Sequence, residues 1–305
     1  MTTISNSTSA FYDRSAMDIA DLRARAEAMQ ADLSRGQRIA RSSDDPVGAS
    51  RLRQLQRADA TSTIDVANAA KASTNLQLTD TALASFADYV THIQELTTQA
   101  ANGTMTDAAR ASLGAEIGQI RDNMIQLANS RDAQGGALFG GQSAGDAYAV
   151  TAGVAGYVGT GSAGDLPLGD GQNVTRGLTG PEFLAFPAGG ASPDLLAALK
   201  TLSDGLQAGG TAAQQAARDG LAALDQGMDQ ITTAQTVVGT RLAWVELTTE
   251  RRTNLTEMRA NEESDVGGTD IASTVARLQE TMTVLEASQA SFTKLASLSL
   301  FSLLN

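Results

Sequence analysis

Cysteine is absent from this chain of 305 residues. Its absence excludes disulfides, thiol nucleophiles and cysteine-ligated metals. Histidine occurs once, as His92, so the three or four ligands that zinc wants cannot come from His and Cys. Aromatics are only 4% of the chain, a composition that suits long helices better than sheets. Basic residues are outnumbered 22 to 34, for a net charge of −12. With no basic groove for phosphates, nucleic acid is not an expected partner. Long hydrophobic runs are also missing. The longest apolar stretch, LASLSLFSLLN at the C-terminus, is too short and too broken by serine to span a bilayer, so no membrane insertion is expected. The start, MTTISNSTSAFYDRSA, lacks the basic and apolar regions of a cleaved signal peptide, which taken alone reads as cytosolic.

What is present is helical periodicity interrupted once. Hydrophobic residues make up 42%, enough to bury a core. The Gly-rich middle carries short strand-like pieces at Tyr148–Thr151 and Gly156–Val158 and a hairpin-turn signal at Asp170-Gly171. Around it lie clear helix signals. Asp45 before Pro46 is a helix start, with Leu52, Leu55, Leu76, Leu83, Phe86, Val90 and Ile93 inward and Asn102-Gly103 as the stop. Thr106-Asp107 opens a helix striped by Leu113, Ile117, Ile120, Met124 and Leu127, and Pro193-Asp194 opens one bearing Leu195, Leu199, Leu202 and Leu206. A longer helix follows, with Leu221, Leu224, Met228, Ile231, Val238, Leu242 and Val245, until Gly267-Gly268. The order predicts a mainly α fold: a long antiparallel helical bundle whose paired N- and C-terminal helices form a stalk, plus a small β-rich inserted domain. The expected divisions are 1–40 with 266–305 as a coiled-coil stalk for polymerisation, 41–135 with 193–265 as the bundle, and 136–192 as the insert. Gly36 and Gly267-Gly268 read as hinges between stalk and bundle.

The two ends carry the same kind of stripe. Ile19, Leu22, Ala26, Met29 and Leu33 step by three and four near the start; Ile271, Val275, Leu278, Met282 and Leu285 do so near the end, followed by Phe292, Leu295, Leu298 and Phe301. Such a stripe lies on one side of a helix and needs a partner surface. The candidates are the other end of the same chain and neighbouring copies. Leu278, Met282 and Leu285 are expected to share one assembly face.

Motifs that could carry chemistry are weak by context. Gly141-x-Ser143-x-Gly145 matches a nucleophile elbow, but His92 lies upstream on a helix and no strand–turn–helix frame surrounds the serine; a serine hydrolase using Ser143 is the remote alternative. Gly159-x-Gly161-x-x-Gly164 matches a dinucleotide fingerprint without a following helix, because Pro167 and Gly169 interrupt. His92 with Glu95 offers two ligands only, and Asp44-Asp45 reads as helix capping. No catalytic residue, metal or cofactor is expected.

Several segments then resemble the flagellin family. They are Leu33-Ser-Arg-Gly-Gln-Arg-Ile39 followed by Arg41-Ser-Ser-Asp-Asp-Pro-Val-Gly-Ala49, Gln99-Ala-Ala-Asn-Gly-Thr104, Thr106-Asp-Ala-Ala-Arg110, and Leu127–Asp132 through Gly136-Ala-Leu-Phe-Gly-Gly141. The last of these, with the apolar ending Leu298–Leu304, is similar to the branch that joins hook to filament; the alternative is a filament-forming flagellin. The resemblance implies a structural protein exported unfolded by the flagellar type III apparatus, with an uncleaved N-terminal signal, and assembled through its terminal helices. It moves the expected location from the cytosol to the extracellular flagellum. The implied partners are copies of itself, an adjoining hook-associated protein, flagellin and an export chaperone.

Overall fold

The computed structural model describes residues 2–186 and 192–303, and the side chains of 10–186 and 192–295. Among the described residues there are seven helices: α1 Thr2–Arg35, α2 Pro46–Ala100, α3 Asp107–Ala128, α4 Pro181–Leu184, α5 Leu195–Ala208, α6 Gly210–Gly267 and α7 Ile271–Leu303. Two antiparallel hairpins separate α3 from α4, β1 Tyr148–Thr151 with β2 Val154–Tyr157 and β3 Asp165–Gly169 with β4 Gln172–Thr175. The fold is mainly α, as the periodicity implies. The chain divides into two compact units, 1–59 with 255–305 and 60–254.

In the unit 60–254, local sequence chooses the helix ends and apolar burial fixes the packing. Thr106 caps α3 by accepting the Ala109 N–H at 3.3 Å, and Asp194 caps α5 by accepting that of Ala197 at 2.7 Å. α2 stops at Ala100, as expected near Asn102-Gly103, but its cap comes from a distance. Buried Arg110 of α3 donates to the carbonyls of Ala100 (3.0 Å) and Asn102 (2.9 Å), occupying acceptors that a helix end leaves open. Leu76, Leu83, Phe86 and Ile93 of α2, Ile117 and Met124 of α3, and Leu195, Leu199 and Leu202 of α5 join one core with Leu224, Ile231 and Val238 of α6.

The insert docks on that core through rings. Phe139 lies 6.1 Å from Phe86 and 4.8 Å from Phe183, and Phe86 lies 5.1 Å from Phe183; all three are fully buried. The Asp170-Gly171 turn is as read, with both residues at positive φ, 52° and 74°. Two long-range features were not legible. Asn129 exchanges two hydrogen bonds with the Tyr148 backbone, standing in for a strand at the edge of β1. Each hairpin turn is also held by a helix arginine. Arg121 of α3 donates to the Gly153 carbonyl at 2.8 Å and to that of Leu196 at 3.0 Å. Arg252 of α6, buried, pairs with buried Asp65 of α2 at 2.9 Å and approaches Asp170 at 3.6 Å. A side chain at Gly169 would collide with this pair.

Candidate assembly interface

In the unit formed by 1–59 and 255–305, α1 packs along α7. The ends of the chain are thus each other's partners, one of the two possibilities that the stripes left open. Ala26 and Leu285 are buried in the seam, and Ile19, Leu22, Met29, Leu33, Leu278 and Phe292 are half-buried beside them. Tyr12 packs edge-on against Phe292, ring centroids 5.6 Å apart, and its hydroxyl donates to the Leu295 carbonyl at 3.3 Å.

The seam uses only part of the C-terminal stripe. Met282 is 42% exposed, and Ile271, Val275 and Leu295 also face outward. Leu278, Met282 and Leu285 lie within one arc of the helix, but the seam takes only part of that arc. At about 100° per residue, Leu278 and Leu285 differ by about 20°, whereas Met282 sits about 60° from Leu285. Two helices in contact bury one narrow seam each, so the flank bearing Met282 stays outside it. Phe11 and Met17 of α1 are exposed as well. The side chains of Leu298 and Phe301 lie outside the described residues.

The segments that follow α1 and α6 meet. Gln37 and Gly268 form an antiparallel bridge, where the sequence suggested two separate hinges. Farther on, Asp45 caps α2: its Oδ1 accepts the Gly48 N–H at 2.9 Å, and its Oδ2 accepts from the Arg38 guanidinium at 3.2 Å. A side chain at Gly48 would press on the ends of the Asp45 and Ile39 side chains and disturb the cap. Arg51 and Glu262 form a two-pronged pair between α2 and α6, at 2.5 and 2.8 Å. The bond from the Gly48 backbone, then that from Arg38, holds the Asp45 carboxyl below its ordinary 3.8. A carboxylate with a lowered folded-state value contributes its stability above the ordinary value and loses it as pH falls through the folded one. The Gly48 amide resonance should therefore titrate with a midpoint below 3.8; a midpoint at or above that value would remove Asp45 from the cap.

The chemical motifs do not converge. Ser143 lies in a turn before β1, and its Oγ accepts the Gly145 N–H at 3.2 Å. His92 lies 3.6 Å from both Glu95 and Glu116. Gly159–Gly164 joins β2 to β3, with no helix after it. Among the described residues no group of three or more His, Cys, Asp or Glu is placed to hold a metal ion, and no helix is long and apolar enough to cross a membrane.

Comparison with known proteins gives this arrangement a class. Residues 7–144 match the bacterial flagellin N-terminal helical region, a likeness that the motifs of this stretch also implied. Within that class its likeness is to flagellar hook-associated protein 3. It is 27% identical to that protein of Escherichia coli (strain K12) over 288 residues, 89% of this chain and 90% of the relative. It is 24% identical to that of Salmonella typhimurium (strain LT2) over 313 aligned positions, 97% of this chain and 98% of the relative. The fold matches a solved flagellar hook-associated protein from Vibrio parahaemolyticus with a TM-score of 0.68 at 22% identity, covering 74% of this chain and 100% of that one. These likenesses support a structural role in the bacterial flagellum.

Proposed function

We propose that this chain joins hook to filament, assembling with copies of itself through its terminal helices after type III export. The observation that carries the reading is the incomplete burial of the terminal pair: Ile271, Val275, Met282 and Leu295 remain outside the α1–α7 seam. Apolar surface left in water on one flank favours burial against a neighbour, by roughly 25 cal/mol per Å² removed from water. Residues 1–40 with 266–305 would serve polymerisation, 41–135 with 193–265 the bundle, and 136–192 the insert. The interface comprises Ile19, Leu22, Met29, Leu33, Ile271, Val275, Leu278, Met282, Leu285, Phe292, Leu295, Leu298 and Phe301, some ordering the pair and some meeting the neighbour. An adjoining hook-associated protein, flagellin and an export chaperone complete the partners, and the working location is extracellular. The action is mechanical, with no chemical step.

Electron micrographs of detached filaments labelled for this chain test the reading. Label confined to one end is the expected result. Label along the length would make the chain a filament flagellin, and absence of label from both would defeat the assignment.

A further inference from the structure

An α-helix leaves its last four carbonyls without partners inside the helix. At the end of α6 the Gly268 N–H bonds to the Ser264 carbonyl at 2.8 Å. The last two acceptors, Val266 and Gly267, are served from the segment after α1. Arg38 donates its guanidinium to the Val266 carbonyl at 2.9 Å and its backbone N–H to the Gly267 carbonyl at 2.8 Å. The end of α1 is served in return. Gly36, at φ +68°, donates its N–H to the Asp32 carbonyl at 2.8 Å, while the Thr269 hydroxyl donates to the same carbonyl at 3.3 Å. The Thr269 N–H donates to the Gly36 carbonyl at 3.1 Å. Each helix end is thus closed by the segment that follows the other.

We propose that residues 36–38 and 266–269 form an interlocked double cap, with Arg38 as its positioning residue, so that the α1–α7 pair and the last turns of α6 order and open as one cooperative unit. Neither cap can be made without the other segment in place. Opening the pair withdraws Arg38 from α6, and fraying α6 withdraws Thr269 from α1. Because Arg38 also reaches the Asp45 cap, the start of α2 joins the same unit. Charge-assisted bonds are stronger than neutral ones, which places the weight of the coupling on the guanidinium. The inference concerns the single chain and does not depend on how copies assemble.

Hydrogen exchange on the full-length chain, read by mass spectrometry of peptides, tests it. In Arg38→Ala, exchange should quicken about tenfold or more both in the α1–α7 peptides (12–33 and 274–292) and in 258–266, with α3 peptides unchanged. Arg38→Lys keeps the charge but not the fork and should fall between. Gly268→Val should repeat the alanine pattern, because a Cβ there would lie 2.3 Å from the Ser264 carbonyl oxygen. Quickening confined to 258–266 would reduce Arg38 to a local cap and overturn the coupling. So would unchanged exchange in both variants, or quickening that extends to α3.

Discussion

Met282→Asp should yield hook-basal bodies without attached filaments and flagellin shed into the medium, from a chain whose own melting is nearly unchanged. Met282 is 42% exposed on the outer flank of α7, so in the free chain a carboxylate there stays in water. Against a neighbouring copy the same charge would be buried unpaired, at a cost of several kcal/mol per subunit. Leu285→Asp is the contrasting variant. Leu285 is buried in the seam, so its replacement should open the α1–α7 pair before any neighbour is involved, and limited proteolysis should then trim both ends quickly. Normal filaments on the Met282→Asp strain would show that the exposed flank is not an assembly surface. Rapid trimming of the Met282→Asp chain would place that residue in the seam instead.

Phe139→Ala should destabilise the unit 60–254 by about 3–5 kcal/mol, the usual cost of emptying a large aromatic site. For a unit of this size that is a fall in Tm on the order of 10 °C. Phe139 is fully buried and touches both other rings of the trio, so the cavity has little to collapse onto. Phe183→Ala should cost a similar amount. The double variant should cost less than the sum, because both substitutions empty one shared space. Thermal melting of the three variants against the parent decides the matter. A loss under about 1 kcal/mol for Phe139→Ala would mean that the insert is not anchored by this ring.

The legible part of the fold was the part written locally. Asp45 with Pro46, Thr106, and Asp194 announce helix starts because capping needs only residues within one turn. The Asp170-Gly171 turn announces itself because few residues accept two successive positive φ angles. The same local logic did not tell Met282 apart from Leu278 and Leu285. Periodicity says that a stripe exists, but the seam chosen within it depends on the partner helix, which lies more than two hundred residues away in sequence. Arg121, Arg252 and Arg38 were missed for a related reason. Each closes a backbone end or a turn contributed by a distant segment, and nothing in the neighbouring sequence marks such a target. In the candidate interface the stripes pointed to α1 and α7, while the double cap at the ends of α1 and α6 stayed hidden because backbone acceptors leave no trace in composition. Gly36 and Gly267-Gly268 suggest hinges when read alone. Gly36 does use a positive φ, but it uses it to close a cap.

The arginines at the hairpin turns have a mechanical meaning. A two-stranded hairpin on its own bends easily, and a pull at its tip would be lost in that bending. Here the β1–β2 turn is tied to α3 through Arg121, and the β3–β4 turn approaches α6 through Arg252. Load applied at either tip passes into a helix within one side chain's length. A pull at either tip should therefore meet less bending than it would in a hairpin tied only at its base.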